Sequence, residues 1–199
     1  MSEIQQNQGD YYGSETTATE AIPYLNKSLD PSYECSIYNL LGIVNVKLFD
    51  NDNALYYYNK ALDSKTDELR KLKTKHNIAV VYMAKKDYNR AIEILLPLSL
   101  KKEVLNDSST FSKALDNLGY SYFKVGNSKG LDYLNQALKI KERIKDNWGI
   151  GKSYLHLSNY YQKSNSKLSN DYARLGYDKA TKVNDVDDRL EALALLIQT

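Results

Sequence analysis

One pattern recurs along this chain and narrows the folds open to it: a small residue, a bulky one four positions on, and another small one three positions later. It occurs at Ala21, Leu25, Ser28, at Ala54, Tyr58, Ala61 and at Ala91, Leu95, Leu98. It returns at Gly130, Leu134, Ala137 and at Ala173, Tyr177, Ala180, and only Leu98 departs from it, a large residue in a small residue's place. A second pattern precedes four of these: Leu41-Gly42 with Asn45, Ile78-Ala79 with Tyr82, Leu118-Gly119 with Tyr122, and Leu157-Ser158 with Tyr161. Spacings of three and four place each set on one face of an α-helix.

The residue types fit a single role. Short side chains at Gly42, Ala79, Gly119 and Ser158 let a neighbouring helix backbone come close, while Tyr58, Leu95, Leu134 and Tyr177 fill the space between successive helix pairs. One pair cannot bury its apolar face alone, and stacked copies make the core continuous. Glycine and proline, at 9 and 3 copies, are too sparse for the turns of a sandwich or barrel. The 18 tyrosines, against 3 Phe and 1 Trp, suit a thin core, because tyrosine buries its ring and keeps its hydroxyl in water.

The segments YNLLGIVNVKLFDNDNALYYYNKAL and NLGYSYFKVGNSKGLDYLNQALKI resemble the helix-turn-helix unit of the tetratricopeptide repeat family, with Asn-Leu-Gly, a turn and an Ala-Leu ending. The resemblance runs over residues 16–199 and implies an all-α fold, a right-handed α-solenoid of antiparallel helix pairs with about five repeats, the first and last incomplete. Residues 1–15 read as a polar leader, poorly ordered or irregular. Gly42, Ala79, Gly119 and Ser158 follow one another at steps of 37, 40 and 39 residues, longer than the family's roughly 34. The extra residues fall in the joins from Ser64 to Lys73 and from Lys101 to Ser109, which predicts longer helices there. Against the repeat, the turn after Gly126 reads one residue short and the one from Ser164 to Asn170 about three residues long.

Helices are predicted over 17–29, 31–48, 51–64, 67–85, 88–103, 109–125, 128–143, 147–164, 168–183 and 186–198. Asp30-Pro31 is a start signal, cap followed by proline at the first helical position, and Asp87, Asp107 and Ser166 are further caps. Pro97 inside a helix loses a backbone bond and predicts a kink or an early end. The last helix, with Leu190, Leu193, Leu196 and Ile197, reads as a lone cap or as the first half of a unit that continues in a longer protein.

Little in the chain looks like chemistry. The segment DNWGIGKS ends like a phosphate-binding loop, but that motif needs glycine five residues before Gly151, where Asp146 stands, and a preceding strand. Gly149 and Gly151 read instead as a tight join between helices. His76 and His156 are the only histidines and Cys35 the only cysteine, too few for a metal cluster, so no metal or cofactor is expected. Cys35 also excludes an internal disulfide. Asn26-Lys27-Ser28 and Asn106-Asp107-Ser108 match the glycosylation sequon, a weak pattern. No carboxylate pair is singled out for acid-base work, and the chain is read as non-catalytic. A net charge of +2 gives no reason to expect direct nucleic-acid binding. No apolar run is long enough to span a membrane.

In the tetratricopeptide architecture the first helix of each pair lines the concave side. The resemblance therefore implies a groove lined by Ser36, Asn39, Ile43, Lys47, Lys73, His76, Asn77, Val80 and Met83, then by Lys113, Asp116, Asn117, Tyr120, Phe123, Lys152, His156, Asn159 and Lys163. Amides bond a peptide backbone, lysines draw carboxylates and rings supply apolar area, so the expected partner is a protein or peptide. Some family members clamp a terminal carboxylate between such helices; Asn77 with Lys113, or Asn117 with Lys152, matches only part of that set. A second reading makes the array the input region of a bacterial histidine kinase or transcription regulator. A third is a homo-oligomer formed through the C-terminal helix.

Overall fold

In a computed structural model, residues 9–27 and 32–198 are described, and they are helical throughout with short turns. The Asp30-Pro31 start signal lies outside the described residues, as does Ser28 of the first sequon. The chain divides into two compact units, residues 1–94 and 95–199.

The first unit holds α1 (Tyr11–Ala21), a 3-10 turn (Ile22–Lys27), α2 (Ser32–Lys47), α3 (Asn51–Asp63) and α4 (Glu68–Ala84), and α5 (Tyr88–Ser99) begins in it. α1 starts six residues before the predicted 17. Its buried residues are Ser14 and Ala18, one turn apart and both small, so it carries no apolar period to be read. Asp10 nevertheless caps it, its carboxylate accepting from the Gly13 amide at 2.9 Å. Ala18 packs on Leu40, Leu41 and Val44 of α2. Between α2 and α3 the pattern acts as expected: a Cβ on Gly42 would overlap the ring of Tyr58, and Ala54, Tyr58 and Val81 form a core with Ile43, Val46, Leu55 and Ile78 around them.

The second unit continues with α6 (Lys102–Asn106), α7 (Ser108–Lys124), α8 (Gly130–Arg143), α9 (Asn147–Tyr161), α10 (Ser166–Lys182) and α11 (Val186–Ile197). α5 ends at Ser99, two residues past Pro97, the early stop that proline predicted. The extra residues that follow do not lengthen a helix. They form the separate turn α6, pinned by the buried Val104.

α7 and α8 meet at two glycines. A Cβ on Gly119 would come within 2.8 Å of the Gly130 carbonyl and the Leu134 amide. The next pair corrects the predicted register. Ser158 faces Ser169, not Ala173: the Ser169 hydroxyl donates to the Ser158 carbonyl at 2.9 Å, and the two hydroxyls lie 3.2 Å apart. That spacing of 11 residues equals the one between Gly119 and Gly130, so Ser169 holds the small position and no extended turn is needed. Ser169 escaped notice because serine is small without being apolar. Gly151 lies inside α9 and packs on α10, where an added Cβ would come 3.1 Å from the Lys179 Cβ. Gly149 serves the join, against Asp146 and Lys141.

One junction device recurs in both units. Phe49, Lys86, Lys145 and Asn184 have φ of 62°, 61°, 58° and 56°. Each is followed by an aspartate that caps the next helix, and the amides of Asp50, Asp87, Asp146 and Asp185 reach back to Asn45, Tyr82, Lys141 and Ala180 carbonyls at 2.8–3.0 Å. A left-handed residue thus ends one helix and the aspartate starts the next. Asn165, not Ser166, caps α10, accepting from the Leu168 amide at 3.0 Å.

Candidate functional site

The first helix of each pair (α2, α4, α7, α9 and, unpaired, α11) carries the residues expected in the groove. In the first unit these residues bond to one another. The Asn39 amide donates to the Cys35 carbonyl at 3.0 Å and to the Thr74 hydroxyl at 2.8 Å, and Asn77 donates to Asn39 Oδ1 at 3.4 Å. Asn39 and Asn77 thus meet across α2 and α4, with Lys73 exposed and His76 half-buried on the same helix. Cys35 is buried.

In the second unit α7 and α9 lie side by side in parallel, and three contacts tie them from end to end. Lys113 sits 5.9 Å from the Trp148 ring centroid. Tyr120 stacks on His156 at 4.2 Å. Phe123 meets Tyr160 at 5.1 Å. Asn117 and Asn159 are half-buried on the same two helices, Asn159 donating to the Leu155 carbonyl at 3.0 Å.

Beneath this face lies a charged cluster. Asp116 (α7), Lys141 (α8), Ser153 and His156 (α9) are all buried, Asp116 and Lys141 each to 2% exposure. Lys141 Nζ is 3.1 Å from one Asp116 oxygen, which His156 Nδ1 approaches at 2.9 Å, short but too bent to count as a well-formed hydrogen bond. Ser153 donates to the other oxygen at 2.7 Å and accepts from Lys141 at 2.9 Å. Burial alone would raise the Asp116 carboxyl, but the Lys141 ammonium, then His156 and the Ser153 hydroxyl, outweigh it and hold the group well below the usual carboxylate range. Asp116 and His156, both expected to line the groove, are buried and belong to a core where Asp116 and Lys141 neutralise each other.

Lys152 is likewise engaged. Its ammonium donates to Asp188 at 2.7 Å and Glu191 at 3.1 Å, both on α11. Burial would lower this lysine, but the carboxylates of Glu191 and Asp188 carry it well above its ordinary value. Together with the Trp148 indole donating to Asp185 at 2.7 Å, it fastens α11 to α9. α11 packs through Ala192 and Leu195 against Leu155 and Ala173. The more conspicuous Leu190, Leu193 and Ile197 are exposed.

Lys141, Asp188 and Glu191 went unnoticed in the sequence, yet a signal was there. Asp116 to Ser153 and Trp148 to Asp185 are each 37 residues apart, and Lys152 to Asp188 is 36. Complementary polar residues one repeat apart face each other across adjacent helices.

The comparisons agree with the fold. A tetratricopeptide repeat model matches residues 72–96. Aspartyl phosphate phosphatase F from Bacillus subtilis superposes with a TM-score of 0.75 at 15% identity, over 98% of this chain and 52% of that one. The fold is tetratricopeptide-type. A Rap protein complexed with competence and sporulation factor follows this tetratricopeptide architecture at TM-score 0.73 and 16% identity, over 89% of this chain and 51% of that one. A signal-transduction ATPase with a tetratricopeptide repeat sensor, from Pyrococcus horikoshii, gives 0.69 and 20% identity, over 98% of this chain and 31% of that one. The chain spans about half the length of the first two proteins and about a third of the last. No curated protein matches the sequence. Among the described residues no cluster of His, Cys, Asp and Glu could hold a metal ion, and no helix is long and apolar enough to cross a membrane.

Proposed function

We propose that this tetratricopeptide array is a non-catalytic scaffold that binds a protein or peptide along the face formed by α7 and α9. One observation carries the reading. Asp116 and Lys152 at the centre of that face are paired from within, Asp116 with Lys141 and Lys152 with Asp188 and Glu191, so a partner meets amides, rings and peripheral lysines. Such a surface suits an extended backbone, since amides can exchange hydrogen bonds with it and rings supply contact area at low entropic cost. Asn117, Asn159, Tyr120 and Phe123 are the contact residues, with Lys113 at one end; Asn39, Lys73, His76 and Asn77 form the corresponding set of the first unit. Lys152 and His156 support the surface from behind. The named complex of a Rap protein with competence and sporulation factor shows a protein of this fold holding a partner, which supports the reading by likeness alone.

A diazirine-bearing side chain placed at Asn117 or Asn159 should cross-link a discrete partner in native lysate. The same group at Lys139, exposed on α8, should not. Identical adducts from all three positions would remove this face as the site. A second reading, the input segment of a larger signalling protein, draws on the ATPase whose tetratricopeptide part is called a sensor. Reading the coding frame past Thr199 tests it.

A further inference from the structure

Charge is distributed unevenly along the second unit. Residues 117–131, covering the second half of α7 and its turn, contain Lys124 and Lys129 and no carboxylate. Residues 147–170, covering α9 and its turn, contain Lys152, Lys163 and Lys167 and again no carboxylate. Lys152 is held by α11; Lys124, Lys129, Lys163 and Lys167 have exposed side chains. Because α7 and α9 run in parallel, their C-terminal ends and following turns share one edge of the unit, marked by the Phe123–Tyr160 contact. Lysine near a helix C-terminus is favourable in itself, which explains one cation per helix but not the exclusion of every acid from both helix ends and both turns.

The same edge is aromatic. Lys124 Nζ lies 5.1 Å from the Tyr120 ring and 5.5 Å from that of Phe123. Tyr160 packs edge-on against Tyr161, which stacks on Tyr172 at 6.0 Å. Tyr120 stacks on His156 and Tyr161 on Tyr172, while Phe123 and Tyr160 meet at a tilt, so these rings are already packed on neighbours. Open ring faces would suit nucleobases, which bind single strands by stacking. Ring edges and hydroxyls beside ammonium groups suit carboxylates with apolar neighbours.

The equivalent edge of the first unit is different. Lys47 is followed by Asp50 and Asp52, and Lys85 and Lys86 by Asp87. Lys85 and Asp52 close on each other at 2.8 Å. That edge neutralises itself.

From this asymmetry we infer that the basic, aromatic edge at the ends of α7 and α9 docks an acidic peptide segment, glutamate- or aspartate-rich with interspersed apolar side chains. The inference rests on the proposed α7–α9 binding face and names the chemistry of its occupant. Its probe is a fluorescein-labelled peptide alternating glutamate and phenylalanine, read by fluorescence polarisation beside a lysine-for-glutamate copy and a labelled oligouridylate. The intact chain should bind the acidic peptide, more weakly at high salt, and ignore the lysine copy. The Lys124→Glu/Lys163→Glu variant should lose about tenfold or more in affinity, because charges at an interface rim govern encounter and salt dependence. The Lys85→Glu/Lys86→Glu variant should bind like the parent. If circular dichroism shows the first variant has lost helicity, Lys124→Gln/Lys163→Gln is read in its place, with about a threefold loss expected. An unchanged affinity, an equal loss from the first-unit variant, or tighter binding of oligouridylate would overturn the inference. Cross-linking at Asn117 and Asn159 would still report the parent reading independently.

Discussion

The two units solve one packing problem with opposite chemistry. In the first, the polar groups buried between helices are hydroxyls and amides: Ser14, Asn45, Ser64 and Thr74. Asn45, for instance, donates to the Leu41 carbonyl at 2.9 Å and to Glu15 at 3.0 Å. Tyr58 fills the space over Gly42, with its ring buried and its hydroxyl pushed well above the ordinary tyrosine range by burial. In the second unit the buried set includes Asp116, Lys141, His156 and Asp188. Losing one partner of a buried neutral network costs about 1–3 kcal/mol, whereas a buried charge left alone costs about 3–5 kcal/mol. The second unit is therefore the more exacting: its helices tolerate less displacement, and its residues 117–131 and 147–170 carry no carboxylate. The lesson is that a repeat can keep its backbone while changing the polar groups it buries from neutral to charged.

Breaking the charge cluster should give the largest effect. Lys141→Met leaves Asp116 buried beside an imidazole and should cost about 3 kcal/mol, in line with other broken buried pairs. Adding Asp116→Leu should recover much of it, since a well-packed apolar pair of similar volume replaces a buried ion pair at little cost. Urea unfolding followed by Trp148, the only tryptophan, reports on the second unit directly. A Lys141→Met variant as stable as the parent would erase the distinction between the units.

The close-approach glycines sharpen the same contrast. Gly119→Ala drives a Cβ against backbone atoms of Gly130 and Leu134 at 2.8 Å, which cannot turn aside. Gly42→Ala meets the side chain of Tyr58, which can rotate. Overpacking costs of about 3 kcal/mol for the first and about 1 kcal/mol for the second are expected from thermal or urea unfolding. The reverse order would mean that the α2–α3 pair is the stiffer one.

Much of this was legible in the sequence, and the reasons are particular. Gly42 and Gly119 announced close approach because a missing side chain costs a helix stability unless a neighbour fills the space it leaves. The start of α1 was hidden because Ser14 and Ala18 bury little apolar area and so leave no period. Ser169 was passed over for Ala173 because hydropathy does not distinguish a small polar residue that nests from one that faces water. The Asp116–Lys141 pair was invisible to local reading, since nothing within a single helix shows that a charge is buried. The groove lysines were recognised as a type, but which of them is engaged depended on α11, whose Asp188 and Glu191 lie a full repeat beyond Lys152.

Acid should separate the units next. The folded Asp116 carboxyl is held below its unfolded value of about 3.9, chiefly by Lys141 once burial is overcome. On lowering the pH the unfolded chain takes up the proton first. The stabilisation is therefore complete above that value and drains away as pH falls toward the folded one. Trp148-detected stability should decline between about pH 5 and pH 2 by roughly 2 kcal/mol. The Lys141→Met/Asp116→Leu variant should lose most of that slope. Among the described residues the first unit buries no carboxylate, so amide exchange in α2 and α3 should respond less.

The smallest effect concerns what the units share. Lys86 ends α4 and Lys145 ends α8 in the left-handed region, at φ of 61° and 58°, and both side chains are exposed. A non-glycine residue there carries strain of about 1 kcal/mol. Glycine removes it but returns roughly half through the extra freedom of the unfolded chain. Lys86→Gly and Lys145→Gly should therefore each stabilise by about 0.5 kcal/mol, seen as a small rise in Tm. Gly126, already glycine at φ 77° with open space around it, should show the converse: Gly126→Ala destabilises by about 1 kcal/mol. Equal gains at Lys86 and Lys145 would show that the junctions are interchangeable and that the units differ only in what they bury and expose. A gain at Lys86 with a loss at Lys145 would instead mean that the lysine beside Asp146 contributes through its charge, extending the contrast between the units into their turns.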